Sequence, residues 1–211
     1  MGPITVIALA AVAGLFGAGV GLSSERLARR GRPEPAAEAE SRLESLRWLA
    51  AAAAGTLAVK ASLSGQPGLA LAWLPLLLVA PWLVAVQLVG ARPPGRVLGV
   101  TTFLTVNGVV LATAFTGRPG LLVSAALGFV LTACLAVLVR RLVGGLVTDV
   151  EVQIAALVGL ACGSLGLPAV GIALVWAVVS AGAAWAFGRF RVHPVGTALL
   201  AGAWVAATLA L

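Results

Sequence analysis

Long apolar runs, separated by short polar or Gly/Pro-rich breaks, constrain this chain more than any other feature of its sequence. A helix needs about 20 apolar residues to cross the hydrocarbon core of a bilayer, with about 17 to 25 as the usual range. Eight stretches meet or approach that length, and they are residues 3–22, 46–63, 69–90, 97–115, 120–139, 150–166, 168–187 and 194–211. The sequence therefore predicts an all-α integral membrane protein, with about eight transmembrane helices in one membrane domain, 1–211.

The composition excludes a soluble globular fold. Hydrophobic residues make up 61% of the chain and charged residues 10%, with a mean hydropathy of +1.09. A soluble domain has about 25% charged residues, so this chain carries far too few to cover a soluble surface. The net charge of +7 does not indicate a nucleic-acid partner, because Tyr is absent and the six Trp are scattered, which leaves no aromatic surface for stacking on bases.

The basic residues predict the orientation of the chain. Of the 14, 12 lie in the first, third, fifth and seventh connections between the runs, whereas the other connections hold only Arg118, with Lys60 near the end of the second run. Basic residues favour the cytoplasmic side of a membrane. We therefore expect residues 23–45 to form a cytoplasmic connector and both termini to lie outside. No basic residue precedes the first run, which is therefore predicted to be a retained helix rather than a cleaved signal peptide.

Few side chains near the predicted spans carry chemistry. Outside the first connection, the only carboxylates are Asp149 and Glu151, and ionisable groups beside a membrane span are candidates for function. The alternative is a simple helix start, with Thr148 or Asp149 as the N-cap and the acids favoured by the helix dipole. Residues two apart on a helix do not face each other, so Asp149 and Glu151 make a poor catalytic pair.

The other polar groups predict neither a cofactor nor a metal site. The single histidine, His193, stands beside arginines in a loop and is interpreted as an interface residue, while Cys134 and Cys162 form no CxxC pair. Amides within or near the runs are expected to hydrogen-bond between helices; they are Gln87, Asn107 and Gln153. Glycine pairs are expected to bring helix backbones close together; they are Gly17xxxGly21 and Gly159xxxGly163.

Five segments, read in order, resemble those of the type IV prepilin peptidases, membrane aspartic proteases that cleave leader peptides from pilin-like proteins. They are GVGLSSERL at 19–27, SRLESLRWL at 41–49, QLVGARPPGRVL at 87–98, GGLVTDVEVQIAALVG at 144–159 and PVGTALLAGA at 194–203. Members of that family have about eight helices, and their two catalytic aspartates lie in D-x6-P-[DN] and G-x-G-D-[VA]-K stretches. The resemblance implies the same kind of helical bundle in a bacterial cytoplasmic membrane.

The resemblance also implies where catalytic groups would lie, and this chain departs from the family there. The first catalytic position is Gln87, which cannot ionise, and the second is Asp149. Around Asp149, the family's two glycines are Leu146 and Thr148, and its lysine is Glu151. An amide in place of one carboxylate removes the shared proton that activates water. The implied accessory positions are Thr148, Glu151, Pro94 and Arg96, and the cysteine-bearing methyltransferase loop of many members is absent.

Two hypotheses of different class follow. In the first, the chain is a non-catalytic relative that keeps the scaffold and binds pilin-like single-span proteins or pilus assembly proteins. In the second, it is an active, divergent aspartic endopeptidase that cleaves prepilin-like leader peptides at the cytoplasmic face, with Asp149 working with Glu151 or with an acid from another chain. An unrelated small transporter is a third class, for which the sequence offers no inverted repeat and no charged midplane site.

Overall fold

The computed structural model describes residues 67–88, 93, 95–143, 147–186 and 195–210, which form six α-helices and, among themselves, no strand. The helices are α1 (Pro67–Leu88), α2 (Gly95–Thr116), α3 (Gly120–Val143), α4 (Asp149–Gly163), α5 (Leu167–Ala186) and α6 (Val195–Ala210). The all-helical prediction is confirmed for this part of the chain. Residues outside the described ranges include the runs 3–22 and 46–63, the connector 23–45, Pro94 and His193. The eight-span count and the outside termini stay predictions.

Glycines with positive φ mark two of the helix boundaries. Gly117, directly after α2, has a φ of 66°, and Gly166, directly before α5, has a φ of 114°. Residues that carry a Cβ rarely adopt positive φ values, so glycine is required where the chain reverses. Pro168 follows in the first turn of α5, where a missing backbone N–H removes no intrahelical hydrogen bond. These local preferences separate α4 from α5 at the break between two apolar runs.

Helix α4 occupies the centre of the described bundle. It contacts each of the other five helices, and those five contact one another in a ring, in the order α1, α2, α3, α5, α6 and back to α1. Every residue of α4 from Ile154 to Gly163 is buried. The most extensive contacts join helices that are neighbours in sequence, so the bundle is assembled from three helical hairpins: α1–α2, α3–α4 and α5–α6.

Glycines let α3 and α4 approach with their backbones in contact. A Cβ built on Gly159 would collide with the hydroxyl of Thr132 and the carbonyl oxygen of Gly128, and would lie 2.8 Å from Cγ2 of Thr132. A Cβ built on Gly163 would lie 2.5 Å from the carbonyl oxygen of Ser124. Small residues at such positions allow the close packing that replaces the hydrophobic effect inside a bilayer. The packing role predicted for Gly159xxxGly163 is confirmed.

Two helices leave most of their apolar surface uncovered. Both helices are long and apolar enough to cross a membrane. Within the apolar 18-residue stretch of each helix, 33% of the α2 residues and 17% of the α3 residues are buried. Bulky side chains project from them, including Phe115 at 75% exposure and Leu142 at 76%. The core helix of a soluble protein would be mostly buried, whereas exposed apolar faces of this extent mark surfaces that contact lipid or another protein. These two helices therefore indicate a membrane protein.

Candidate functional site

Three contacts bring helix ends together at one end of the bundle. Gln87, in the last turn of α1, packs against Gly196 in the first turn of α6. The start of α2 lies beside α4, since a Cβ built on its first residue would be 3.9 Å from Oε1 of Gln153. Arg140, in the last turn of α3, forms an ion pair with Asp149, the first residue of α4. We call this end, formed by the C-termini of α1 and α3 and the N-termini of α2, α4 and α6, the charged end.

Charge within the described ranges is concentrated at the charged end. Six charged side chains are described in total. One of them, Arg118, lies in the connection between α2 and α3, at the opposite end of the bundle. The charged end holds the other five, which are Arg96, Arg140, Arg141, Asp149 and Glu151. The two motif positions taken from the resemblance, Gln87 and Asp149, therefore lie at the same end of the bundle.

Asp149 has a cation as its partner. Its side chain is 79% exposed, and its Oδ1 contacts Nη1 of Arg140, whose own side chain is 43% exposed. An aspartic peptidase instead needs a second carboxyl group facing the first, so that the two share one proton. Here the guanidinium of Arg140 takes the place of a second carboxyl group, and the side chain of Asp149 faces solvent.

Thr148 and Glu151 form a capping box at the start of α4. The backbone N–H of Thr148 donates to Oε2 of Glu151 at 2.6 Å, and the N–H of Glu151 donates to Oγ1 of Thr148 at 3.4 Å. This reciprocal pair satisfies two backbone donors that a helix start leaves without partners. Of the two N-cap residues that the sequence allowed, Thr148 is the one in the structure, and Asp149 is the first helical residue.

The two carboxylates of α4 point in different directions. Residues two apart on a helix are rotated by about 200° from each other, and Glu151 is 5% exposed whereas Asp149 faces solvent. Glu151 binds the backbone of its own helix, while Asp149 binds α3. Among the described residues, the two acids have no hydrogen-bond partner in common.

Gln87 connects α1 to α6, because its side chain packs against Gly196 rather than against Asp149. Its amide fills the space above Gly196, where an added Cβ would lie 2.8 Å from both Cδ and Oε1 of Gln87. Within the described residues, Oε1 of Gln87 is buried and has no hydrogen-bond partner. Gln87, at the position of the family's first catalytic aspartate, is therefore a polar group at the junction of α1 and α6. Gly196 has no side chain, which leaves room for the amide.

One further implied position, Arg96, and the amide Gln153 lie at the same end. Arg96 is exposed in the first turn of α2, and Gln153 is exposed one turn after Asp149. Pro94 lies outside the described residues, whereas Pro93 is buried. Sequence reasoning missed Arg140 as the partner of Asp149. The signal in the sequence was the position of Arg140, at the end of the apolar run that precedes Asp149.

The described side chains of the charged end can form ion pairs and hydrogen bonds. This end offers arginines, one exposed ion pair, and amides that donate and accept hydrogen bonds. The described residues contain no group of three or more His, Cys, Asp or Glu side chains that could hold a metal ion. No protein-family model, no curated protein and no solved structure matches this chain.

Proposed function

We propose that this chain is a multi-pass protein of the bacterial cytoplasmic membrane that has a prepilin peptidase-like scaffold without peptidase activity. It binds pilin-like single-span proteins, or proteins that assemble them, at the cytoplasmic side. In this proposal the chain crosses the membrane eight times with both termini outside, and the charged end faces the cytoplasm. The family relationship is part of the proposal and is supported by the five sequence segments.

The environment of Asp149 is the observation that carries the proposal. Peptide hydrolysis by this class of enzyme needs two carboxyl groups that activate one water. Here Asp149 is ion-paired with Arg140, and Gln87 supplies an amide at the other position. Glu151, the other acid among the described residues, is buried and accepts a hydrogen bond from the backbone N–H of Thr148. Among the described residues, the charged end thus has polar groups suited to recognition and no facing pair of carboxyl groups.

The placement of charge supports the proposed orientation. Arg96, Arg140 and Arg141 lie at the charged end, and Arg118 lies at the other. Arginines concentrate on the cytoplasmic side of bacterial membrane proteins because their translocation is disfavoured. A leader peptide or a juxtamembrane segment would meet this surface from the cytoplasm.

Peptidase activity is the first test. The purified protein is incubated in detergent with pilin-like substrates encoded beside its gene, and leader removal is followed by mass spectrometry. We expect no cleavage by the wild type. Cleavage that is lost in Asp149→Asn would overturn the proposal and establish the divergent peptidase instead.

A variant that restores family residues tests whether Gln87 and Asp149 are aligned with the two catalytic positions of the prepilin peptidases. Gln87→Asp is one methylene shorter and fits above Gly196, while Arg140→Gln releases Asp149 from its ion pair. Thr148→Gly returns the family residue and keeps an acceptable N-cap. The triple variant should gain detectable cleavage, and the same variant with Asp149→Asn is the matched control. A folded triple variant without activity would remove the support from the motif alignment.

Binding is tested separately from chemistry. Co-purification of the tagged protein with each pilin-like candidate is measured in wild type and in Arg96→Gln/Arg141→Gln, which removes two exposed cations. We expect weaker capture by the double variant and unchanged capture by Arg118→Gln, the control at the opposite end. Equal capture by all three proteins would place the binding surface elsewhere.

A further inference from the structure

Helix α2 carries an exposed amide in the middle of an apolar face. Asn107 lies nine residues before the end of α2 at Thr116 and 12 residues after its start at Gly95. At about 1.5 Å per residue, it is about 14 to 18 Å from either end, deep inside a hydrocarbon core of about 30 Å. We call this surface the Asn107 face. Its other members are Val100, Phe103, Val110, Leu111 and Ala114, all of them exposed.

The hydrogen-bonding groups of the Asn107 amide are only partly satisfied by α2. The helix contains five threonines, and the hydroxyl of each donates to the carbonyl oxygen four residues earlier. Nδ2 of Asn107 likewise donates to the carbonyl oxygen of Phe103, at 2.8 Å. An amide has two N–H donors and a carbonyl acceptor. Among the described residues, Oδ1 and the second N–H have no partner, which is unfavourable in lipid.

We propose that the Asn107 face is the interface of a homodimer in which the two Asn107 amides hydrogen-bond to each other. Two copies inserted with the same orientation are related by a two-fold axis along the membrane normal, so identical residues lie at identical depths. An amide is complementary to another amide, since each can donate to the other's carbonyl oxygen. A second copy in the same orientation therefore supplies a matching partner at the required depth.

The shape of the Asn107 face suits close helix packing. Ala114 lies near one end of the face, and Gly99 lies near the other end, where nothing occurs within 4 Å of an added Cβ. Small residues at such positions let two helix backbones approach closely enough for side-chain amides to meet. Phe103 and Val110, 67% and 46% exposed, flank the amide and would be covered in the dimer.

The inference rests on α2 crossing the bilayer, which is one part of the proposed function, and not on the peptidase-like scaffold. Loss of pilin binding or absence of cleavage would leave the dimer intact. Conversely, a monomer would leave the binding experiments unaffected. The two proposals can therefore fail independently.

Cysteine cross-linking in native membranes tests the interface. Cys134 is exposed and is replaced by serine, whereas Cys162 is buried and is kept. Val110→Cys is introduced on the Asn107 face, and Val130→Cys, 54% exposed on α3, is the matched control. After oxidation we expect a disulfide-linked dimer for Val110→Cys and none above background for Val130→Cys.

Variants of Asn107 then test the role of the amide. Asn107→Leu should weaken association about tenfold, from the strength of hydrogen bonds between transmembrane helices, while Asn107→Gln retains the amide and should keep most of the cross-link. Single-molecule photobleaching of the wild type in liposomes should show two-step traces that become mainly one-step in Asn107→Leu.

Several results would overturn the inference. One is equal cross-linking of Val130→Cys, and another is cross-linking of Val110→Cys that Asn107→Leu leaves unchanged. One-step traces for the wild type at every density would show a monomer. An intramolecular cross-link from Val110→Cys to a cysteine placed in the run 46–63 would show that the chain's own sequence covers this face.

Discussion

Replacement of Gly159 by alanine is the sharpest test of how the bundle is held together. The new Cβ would lie 2.8 Å from Cγ2 of Thr132 and would also collide with the Thr132 hydroxyl and the Gly128 carbonyl oxygen. A side chain can rotate, but the carbonyl is part of the α3 backbone, so α3 and α4 must separate. Overpacking of this kind costs about 1 to 3 kcal/mol. Alanine's better helix propensity returns about 1 kcal/mol, so we expect a net loss of up to about 2 kcal/mol.

Gly171→Ala is the matched control, because nothing lies within 4 Å of a Cβ at that position in α5. The control should gain up to about 1 kcal/mol from helix propensity alone. The free energy of unfolding is measured in mixed micelles by titration with a denaturing detergent. Burial of Cys162 in α4 provides a reporter, since in the Cys134→Ser background a thiol reagent labels it when the bundle opens. Equal stability of Gly159→Ala and Gly171→Ala would refute the close packing of α3 on α4.

Three further substitutions test the charged end by the same unfolding measurement. Thr148→Ala should cost about 1 kcal/mol by removing the N-cap hydroxyl, and Thr148→Ser should restore most of it; equal losses would argue against the capping box. Asp149→Asn should cost no more than about 1 kcal/mol, because its ion pair with Arg140 is largely exposed, and a larger loss would mean that Asp149 has a structural partner besides Arg140. Gly196→Ala should cost less than Gly159→Ala, since the atoms it meets are the movable end of Gln87; the added change Gln87→Ala should remove the remaining cost, and failure of that rescue would place the strain in the backbone.

The helices themselves could be predicted because their ends are set by local chemistry. Gly117 and Gly166 adopt positive φ, and Pro168 begins a helix where proline is tolerated. These residues mark boundaries whatever the helices pack against. The described helices therefore lie close to the apolar runs from which they were expected.

The arrangement of the helices could not be predicted in the same way. All six are apolar, and periodicity does not distinguish a helix that faces lipid from one that faces other helices. Gly159xxxGly163 indicated a close approach, but the partner surface at Gly128 and Thr132 became apparent only in three dimensions. The central position of α4 depends on five separate contacts that no local pattern encodes.

In the candidate site, too, some contacts could be predicted from the sequence, and others depend on how the helices pack. Thr148 and Glu151 stand at capping-box spacing, so their mutual hydrogen bonds follow from the sequence. The ion pair of Asp149 with Arg140 spans the connection between two helices and depends on how they are rotated. The contact of Gln87 with Gly196 joins residues more than a hundred positions apart, and nothing near either residue indicates it.

The enclosure of α4 by five helices implies that α3 and α4 tolerate mutation differently. On α3, an exchange of one large apolar residue for another at an outward position changes only an exposed side chain. On α4, every residue from Ile154 to Gly163 has protein on all sides, so an added methylene displaces a neighbour. Among relatives of this chain, α3 should vary freely among Leu, Val, Ile and Phe, while α4 should keep the size of each side chain. Such a contrast would be visible in an alignment before any experiment is done.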